Sequence, residues 1–195
     1  DDYWTRDDEE RWELIGGEAY AMAPPPTVNH QAIVSELHWQ LASWFRGKRC
    51  RVLVSPVGVK LSEEDIVQPD LVVVCEASKL KPTHIEGAPT LVVEVLSPST
   101  EAHDRLRKMA LYARSGILEV WLMTPDAALV EVFVLDGPSY RLRGTFTRGD
   151  KLKSRAFPRM PINLRKVFDL PNPPGPRITV VKERGPTWAV RKRAP

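Results

Sequence analysis

Residues 90–100 read TLVVEVLSPST: a strand-length run of valine and leucine with one carboxylate, Glu94, in its middle. Side chains alternate along a strand, so Glu94 shares a face with Val92 and Leu96, while Leu91, Val93 and Val95 take the other. A strand that is apolar on both faces is covered on both, which predicts a sheet with elements packed against each side. A carboxylate buried there without a partner costs roughly several kcal/mol, so Glu94 needs a cation, a metal ion or a proton.

Upstream, IVQPDLVVVC (66–75) is a second β-branched run, and it carries Asp70. Alternation puts Asp70 on the face of Val72 and Val74. If the two strands are neighbours, both acids point at one spot near the strand ends. Taken singly, Glu94 could be one half of a structural ion pair and Asp70 a turn residue after Pro69. Taken together, they offer oxygen donors of the kind that suit Mg²⁺, which takes one or two carboxylates plus waters and substrate phosphate.

Around these strands the chain alternates helix and strand signals. RWELIGGEAYAM (11–22) predicts a β-hairpin turning at Gly16-Gly17, a dipeptide suited to the positive φ of a two-residue turn. A proline-rich break, APPPT (23–27), precedes a helix over about 29–46, with Ile33, Leu37, Leu41 and Trp44 on one face, Thr27 or Asn29 as cap and Gly47 as stop. RVLVSPVGVKL (51–61) is a further β-branched run. After SPST, Leu106, Met109, Ala110 and Ala113 predict a helix over about 101–115 ended by Gly116. Strands follow at 118–124, 129–135 and 140–146, then a short helix at 162–168. The fold class this implies is α/β, a mixed sheet flanked by helices with an N-terminal hairpin. Residues 1–170 make one domain in this reading, and PNPPGPR (171–177) starts a linker and basic tail that run to 195.

At 195 residues, 43% hydrophobic and 27% charged, the composition is that of an ordinary globular domain. No apolar run reaches the ~20 residues of a membrane span, and the acidic start DDYWTRDDEE is unlike a secretory signal. Cys50 and Cys75 read as buried thiols in a reducing cytoplasm rather than as a disulfide. The formal charge is only +3, but it is uneven: residues 1–18 hold eight acids against two bases, and 171–195 hold six bases against one acid. That distribution is weak grounds for a nucleic-acid partner, since a basic end is equally a solvated one.

The remaining candidates are individually ambiguous. In the hairpin Glu13 opposes Tyr20 and Glu18 opposes Ile15, so both acids lie on one face, either exposed or reaching a metal centre. Lys108 falls away from the apolar stripe of its helix, where the simplest reading is a solvent lysine pairing with Asp104 at i, i+4. His30, three residues before Ile33, reads as a packing histidine. The histidines show no zinc spacing, and no Walker, G-x-S-x-G or Cys-x-x-Cys motif occurs. Arg105, Arg107, Lys60 and Arg114 could meet phosphates or simply face solvent.

The order ELIGGE, proline-rich break, histidine opening a helix, QPDLVVV, GAPTLVVEVLSPST and D…K…LYA..GI.EVW resembles the Uma-two family of bacterial proteins, within the PD-(D/E)XK restriction-endonuclease-like superfamily. The resemblance spans about residues 9–170. It implies a restriction-endonuclease-like mixed sheet and a metal-dependent DNA endonuclease acting in the cytoplasm. Mg²⁺ is the implied cofactor, with Mn²⁺ able to substitute. DNA is the partner, a homodimer would suit cleavage of two strands, and no membrane is involved. Asp70 would be the acid of the PD element and Glu94 the second acid, both holding metal. The superfamily lysine should stand two residues after Glu94, yet that position is Leu96. The resemblance moves the role to Lys108 on the next helix, with Glu13 or Glu18 as an upstream acid and His30 lining the site. The alternative is a nucleic-acid- or protein-binding module that keeps the nuclease fold without turnover.

Overall fold

The computed structural model describes residues 11–22, 26–97 and 107–170. In chain order the elements are β1 (Trp12–Ile15), β2 (Glu18–Ala21), α1 (Val28–Phe45), β3 (Arg51–Val54), β4 (Val59–Lys60), β5 (Ile66–Val67), β6 (Leu71–Val74), β7 (Ile85–Glu86), β8 (Leu91–Val95), α2 (Met109–Arg114), β9 (Glu119–Thr124), β10 (Leu129–Asp136), β11 (Ser139–Thr147) and α3 (Leu164–Val167). The expected mixed α/β architecture with an N-terminal hairpin is present. The start of the helix expected over 101–115 and the tail from 171 lie outside the described residues.

The valine-rich strands build a six-stranded sheet in the order β11-β10-β9-β8-β6-β3. Its β8–β9 pair is parallel and carries α2 as its crossover, while the other neighbours run antiparallel. Every residue of β6 and β8 is buried, as their two-sided apolar patterns require. On one face Leu71, Val73, Leu91, Val93 and Val95 meet Ile33, Leu37, Leu41 and Phe45 of α1. That helix buries residues four apart, and Thr27 caps it by accepting the N–H of His30. On the other face Val72, Val74, Val92 and Leu96 pack against Leu111 and Tyr112 of α2 and Val59, Val67 and Ile85.

Those last three residues belong to a second, five-stranded sheet, order β2-β1-β5-β4-β7, which the sequence reading did not separate from the first. The expected long strand at 51–61 breaks after Val54 at a cis Ser55–Pro56 peptide and resumes as β4, and 66–75 divides at Gln68–Asp70 into β5 and β6. The hairpin turns where expected, with Gly16 and Gly17 at φ 61° and 79° and Glu13 opposite Tyr20. Its turn is pinned to the β4–β5 loop: Gly17 N–H donates to Glu64 O and Gly16 N–H to Asp65 Oδ1, a carboxylate that also binds Arg114 of α2 at 2.7 Å.

One expectation is corrected outright. Cys50 and Cys75 are joined in a disulfide. Pairing of β3 with β6, Arg51 opposite Val74, continues one step outward and brings the two cysteines face to face. The cysteines therefore give no support to a reducing compartment. Among the described residues no helix is long and apolar enough to cross a membrane.

Candidate active site

The antiparallel register of β6 and β8, Leu71 opposite Val93, sets Asp70 opposite Glu94. Both side chains lie at one end of the strand pair, on the face covered by α2 and the smaller sheet. Asp70 Oδ2 accepts the N–H of Val95 at 2.8 Å and faces His30 Nε2 at 3.2 Å. His30 thus stands over Asp70 at the start of α1 and is not the plain packing residue its position suggests. Its Nδ1 is buried and bonds nothing among the described residues.

Glu94 is 3% exposed, and its Oε1 accepts from the Tyr112 hydroxyl at 2.5 Å and from Lys108 Nζ at 3.3 Å. The same ammonium lies 2.9 Å from Glu13 Oε1. Glu13, on β1, is 4% exposed, and Oε1 also accepts the backbone N–H of Gln68 at 2.9 Å. Lys108 is 5% exposed, so the solvent-lysine reading fails. Arg107 and Lys108 lead directly into α2, and Lys108 and Tyr112, four apart, converge on one carboxylate oxygen.

Glu18 shares the hairpin face of Glu13 but is exposed, and its carboxylate takes the Tyr20 hydroxyl. That carboxylate raises the Tyr20 phenol above its ordinary range. Of the two upstream acids, the fold therefore brings Glu13 and not Glu18 to the buried cluster. Among the basic candidates, Lys60 pairs with Glu63, Arg114 with Asp65, and Arg107 lies over the Tyr20 ring, while Arg105 is outside the described residues.

Two contributors were missed in the sequence. Tyr112 lies off the stripe of Leu106, Met109, Ala110 and Ala113 and was not singled out, although its spacing of four from Lys108 was visible. Gln68 acts through its backbone N–H, which no side-chain pattern reveals. A cavity of about 660 Å³, lined in part by Trp44, Phe157, Cys50 and Cys75, opens at the opposite ends of β3 and β6 and takes no part in this cluster.

Three carboxylates (Glu13, Asp70, Glu94) and one ammonium give these four side chains a formal charge of −3 + 1 = −2. Hard oxygen donors and a net double negative charge fit a divalent cation such as Mg²⁺, which takes few protein ligands and keeps its waters. Among the described residues no group of three or more His, Cys, Asp or Glu side chains is placed to hold a metal ion, so any ion here would rest on two of them and on water. The lysine stands between two of the acids.

The mixed sheet flanked by helices is the architecture of a restriction-endonuclease-like nuclease fold, and this chain adds a departure of its own: the lysine near the acids comes from the turn before α2 and not from the strand of Glu94. Residues 2–165 match the model of the Uma2 family, described as "Putative restriction endonuclease", and the chain belongs to that family. It is 32% identical over 127 residues to the "Uncharacterized protein slr1290" of Synechocystis sp., covering 65% of this chain and 66% of that protein's length. The fold is similar to the crystal structure of "a putative nuclease belonging to DUF820 from Anabaena variabilis", with a TM-score of 0.67, 19% identity, and coverage of 84% of this chain and 93% of the other.

Proposed function

We propose that the chain is a Mg²⁺-dependent endonuclease that hydrolyses phosphodiester bonds of DNA. The observation that carries this reading is the convergence of Asp70, Glu94, Glu13 and Lys108 at one end of β6 and β8. Asp70 and Glu94 would hold the ion, with Mn²⁺ as a substitute, and Glu13 would complete the acidic wall. A bound divalent ion supplies a water of lowered pKa and neutralises charge on the scissile phosphate.

The chain's own groups do the rest. The Lys108 ammonium, buried beside the acids, would orient the attacking water or hold a non-bridging oxygen as charge builds on it. Tyr112 fixes Glu94 Oε1, and Gln68 fixes Glu13 Oε1, so neither carboxylate has to reorganise. The Val95 N–H fixes Asp70 in the same way. Two such sites in a homodimer would cut two strands.

One observation favours a second reading, a nucleic-acid-binding module without turnover. The Lys108 ammonium already lies within ion-pair distance of Glu13 and Glu94. Supercoiled plasmid incubated with Mg²⁺, Mn²⁺ or EDTA separates the two. The nuclease reading expects nicking and linearisation with metal, abolished by EDTA and by Asp70→Ala or Glu94→Ala. A wild-type protein that binds DNA without cutting it, or an Asp70→Ala variant that cuts equally well, removes it.

A further inference from the structure

Arg11 directly precedes β1 and, by alternation, shares a strand face with Glu13 two residues on. Its side chain is exposed yet held in one place. Nη2 donates to Ser55 Oγ at 2.8 Å and to Gln68 Oε1 at 2.7 Å, and Nε donates to the same Gln68 oxygen at 3.1 Å. These acceptors are neutral. Among the described residues no carboxylate pairs with this guanidinium, in contrast to Arg114, Arg141 and Arg148, each bound to an aspartate. Among the described residues the edge bearing Nη1 makes no hydrogen bond and is left for a ligand.

The two residues that hold Arg11 also hold the acids. Gln68 gives its backbone N–H to Glu13 Oε1, and Ser55 gives its own to the backbone carbonyl of Asp70 at 3.0 Å. The guanidinium is thus set at a fixed distance from the acidic cluster by a frame of short links. A fork-shaped cation, ordered in advance and displayed beside acids, suits an anion with paired oxygens. The ordering cost that an arginine normally meets on binding has largely been met in the free protein.

We infer that Arg11 is a substrate-binding residue that grips a backbone phosphate of the nucleic acid next to the one at the acidic cluster. This rests on the nuclease reading and adds a residue and a role to it. Gln68 and Ser55 are positioning residues for that grip.

The test is binding of a fluorescently labelled DNA duplex by anisotropy in EDTA-containing buffer, from about 50 to 200 mM salt. Loss of one phosphate contact lowers the slope of log affinity against log salt by about 0.9. Arg11→Gln is expected to show that drop with affinity about tenfold weaker at the lowest salt. Arg11→Lys, which keeps the charge and loses the fork, retains the slope with weaker binding. Gln68→Ala likewise keeps the slope, because the charge remains and only its ordering is lost. The thermal shift caused by Mn²⁺ stays at the wild-type value in Arg11→Gln, which separates this grip from the metal-holding acids. If wild-type protein binds and Arg11→Gln binds with the same slope and affinity, the inference falls and the nuclease reading stands. If wild-type protein shows no salt-dependent binding, the inference falls, and plasmid cleavage with Mg²⁺ decides the nuclease reading by itself.

Discussion

Replacing Lys108 by Met removes the ammonium that lies 2.9 Å from Glu13 and 3.3 Å from Glu94 and keeps a side chain of similar length and volume. All three side chains are at most 6% exposed, so water cannot take the ammonium's place without opening the cluster. Removing one partner of a buried ion pair costs about 3–5 kcal/mol, because the charge left behind is uncompensated. Here two carboxylates are left, each keeping one other donor, the Tyr112 hydroxyl for Glu94 and the Gln68 N–H for Glu13. For a domain of this size about 1 kcal/mol moves Tm by roughly 2–4 °C, so the expected loss is roughly 6–20 °C in a thermal melt without metal. The exchange also takes the four-group cluster from a formal −2 to −3, which strengthens its attraction for a divalent cation. Millimolar Mn²⁺ should therefore raise the Tm of Lys108→Met by more than it raises that of the wild type. A variant that melts within about a degree of wild type refutes the ion-pair argument. A variant whose Mn²⁺ shift is smaller than the wild-type shift refutes the proposal that the acids beside this lysine hold the metal.

Leu96→Lys, which writes the superfamily's usual spacing back into the strand, puts an ammonium into a core position only 4% exposed and is expected to cost at least about 3 kcal/mol by urea denaturation. Asp65→Ala strips the acceptor from Gly16 N–H, Ser62 Oγ and Arg114 at once and should lower stability by about 2 kcal/mol in the same assay, with the Mn²⁺ shift reduced because hairpin and α2 lose their tie. Asp150 accepts the N–H and hydroxyl of Thr147, and the N–H bond, the larger effect, lowers its pKa. A depressed carboxylate stabilises the fold above its unfolded-state pKa and loses that contribution as pH falls through the folded value. Melts of Asp150→Asn and wild type should therefore differ at neutral pH and converge at strongly acidic pH.

Much of the larger sheet was legible because its strands obey simple rules. The valines of β6 and β8 carry apolar residues on both faces, and Asp70 and Glu94 stood out as the carboxylates that such strands cannot hide without a reason. Gly16-Gly17 was equally plain, since a two-residue turn needs the positive φ that glycine takes without strain. The smaller sheet was not legible: β4, β5 and β7 are two residues long, too short for any alternation to register. The disulfide needed the β3–β6 register, which is a tertiary fact. Lys108 was ambiguous because a helical wheel reports which side of a helix is apolar, and a lysine buried between two carboxylates breaks that rule. Arg11 looked like one more charge in an acidic stretch, and its three hydrogen bonds span 44 and 57 residues of sequence.

The lysine's place on the helix has a consequence for when the chain acquires its chemistry. Were the cation two residues after Glu94, a single strand would carry both groups as soon as it formed. Instead Glu13, Glu94 and Lys108 arrive from β1, β8 and the turn before α2, and they meet only once the hairpin has docked on one side and the crossover helix on the other. Contacts this far apart in sequence close late, after the loops between them have been ordered. Whatever reaction the cluster performs, it needs three separate elements in place at once, and a chain that lacks any one of them does not have it.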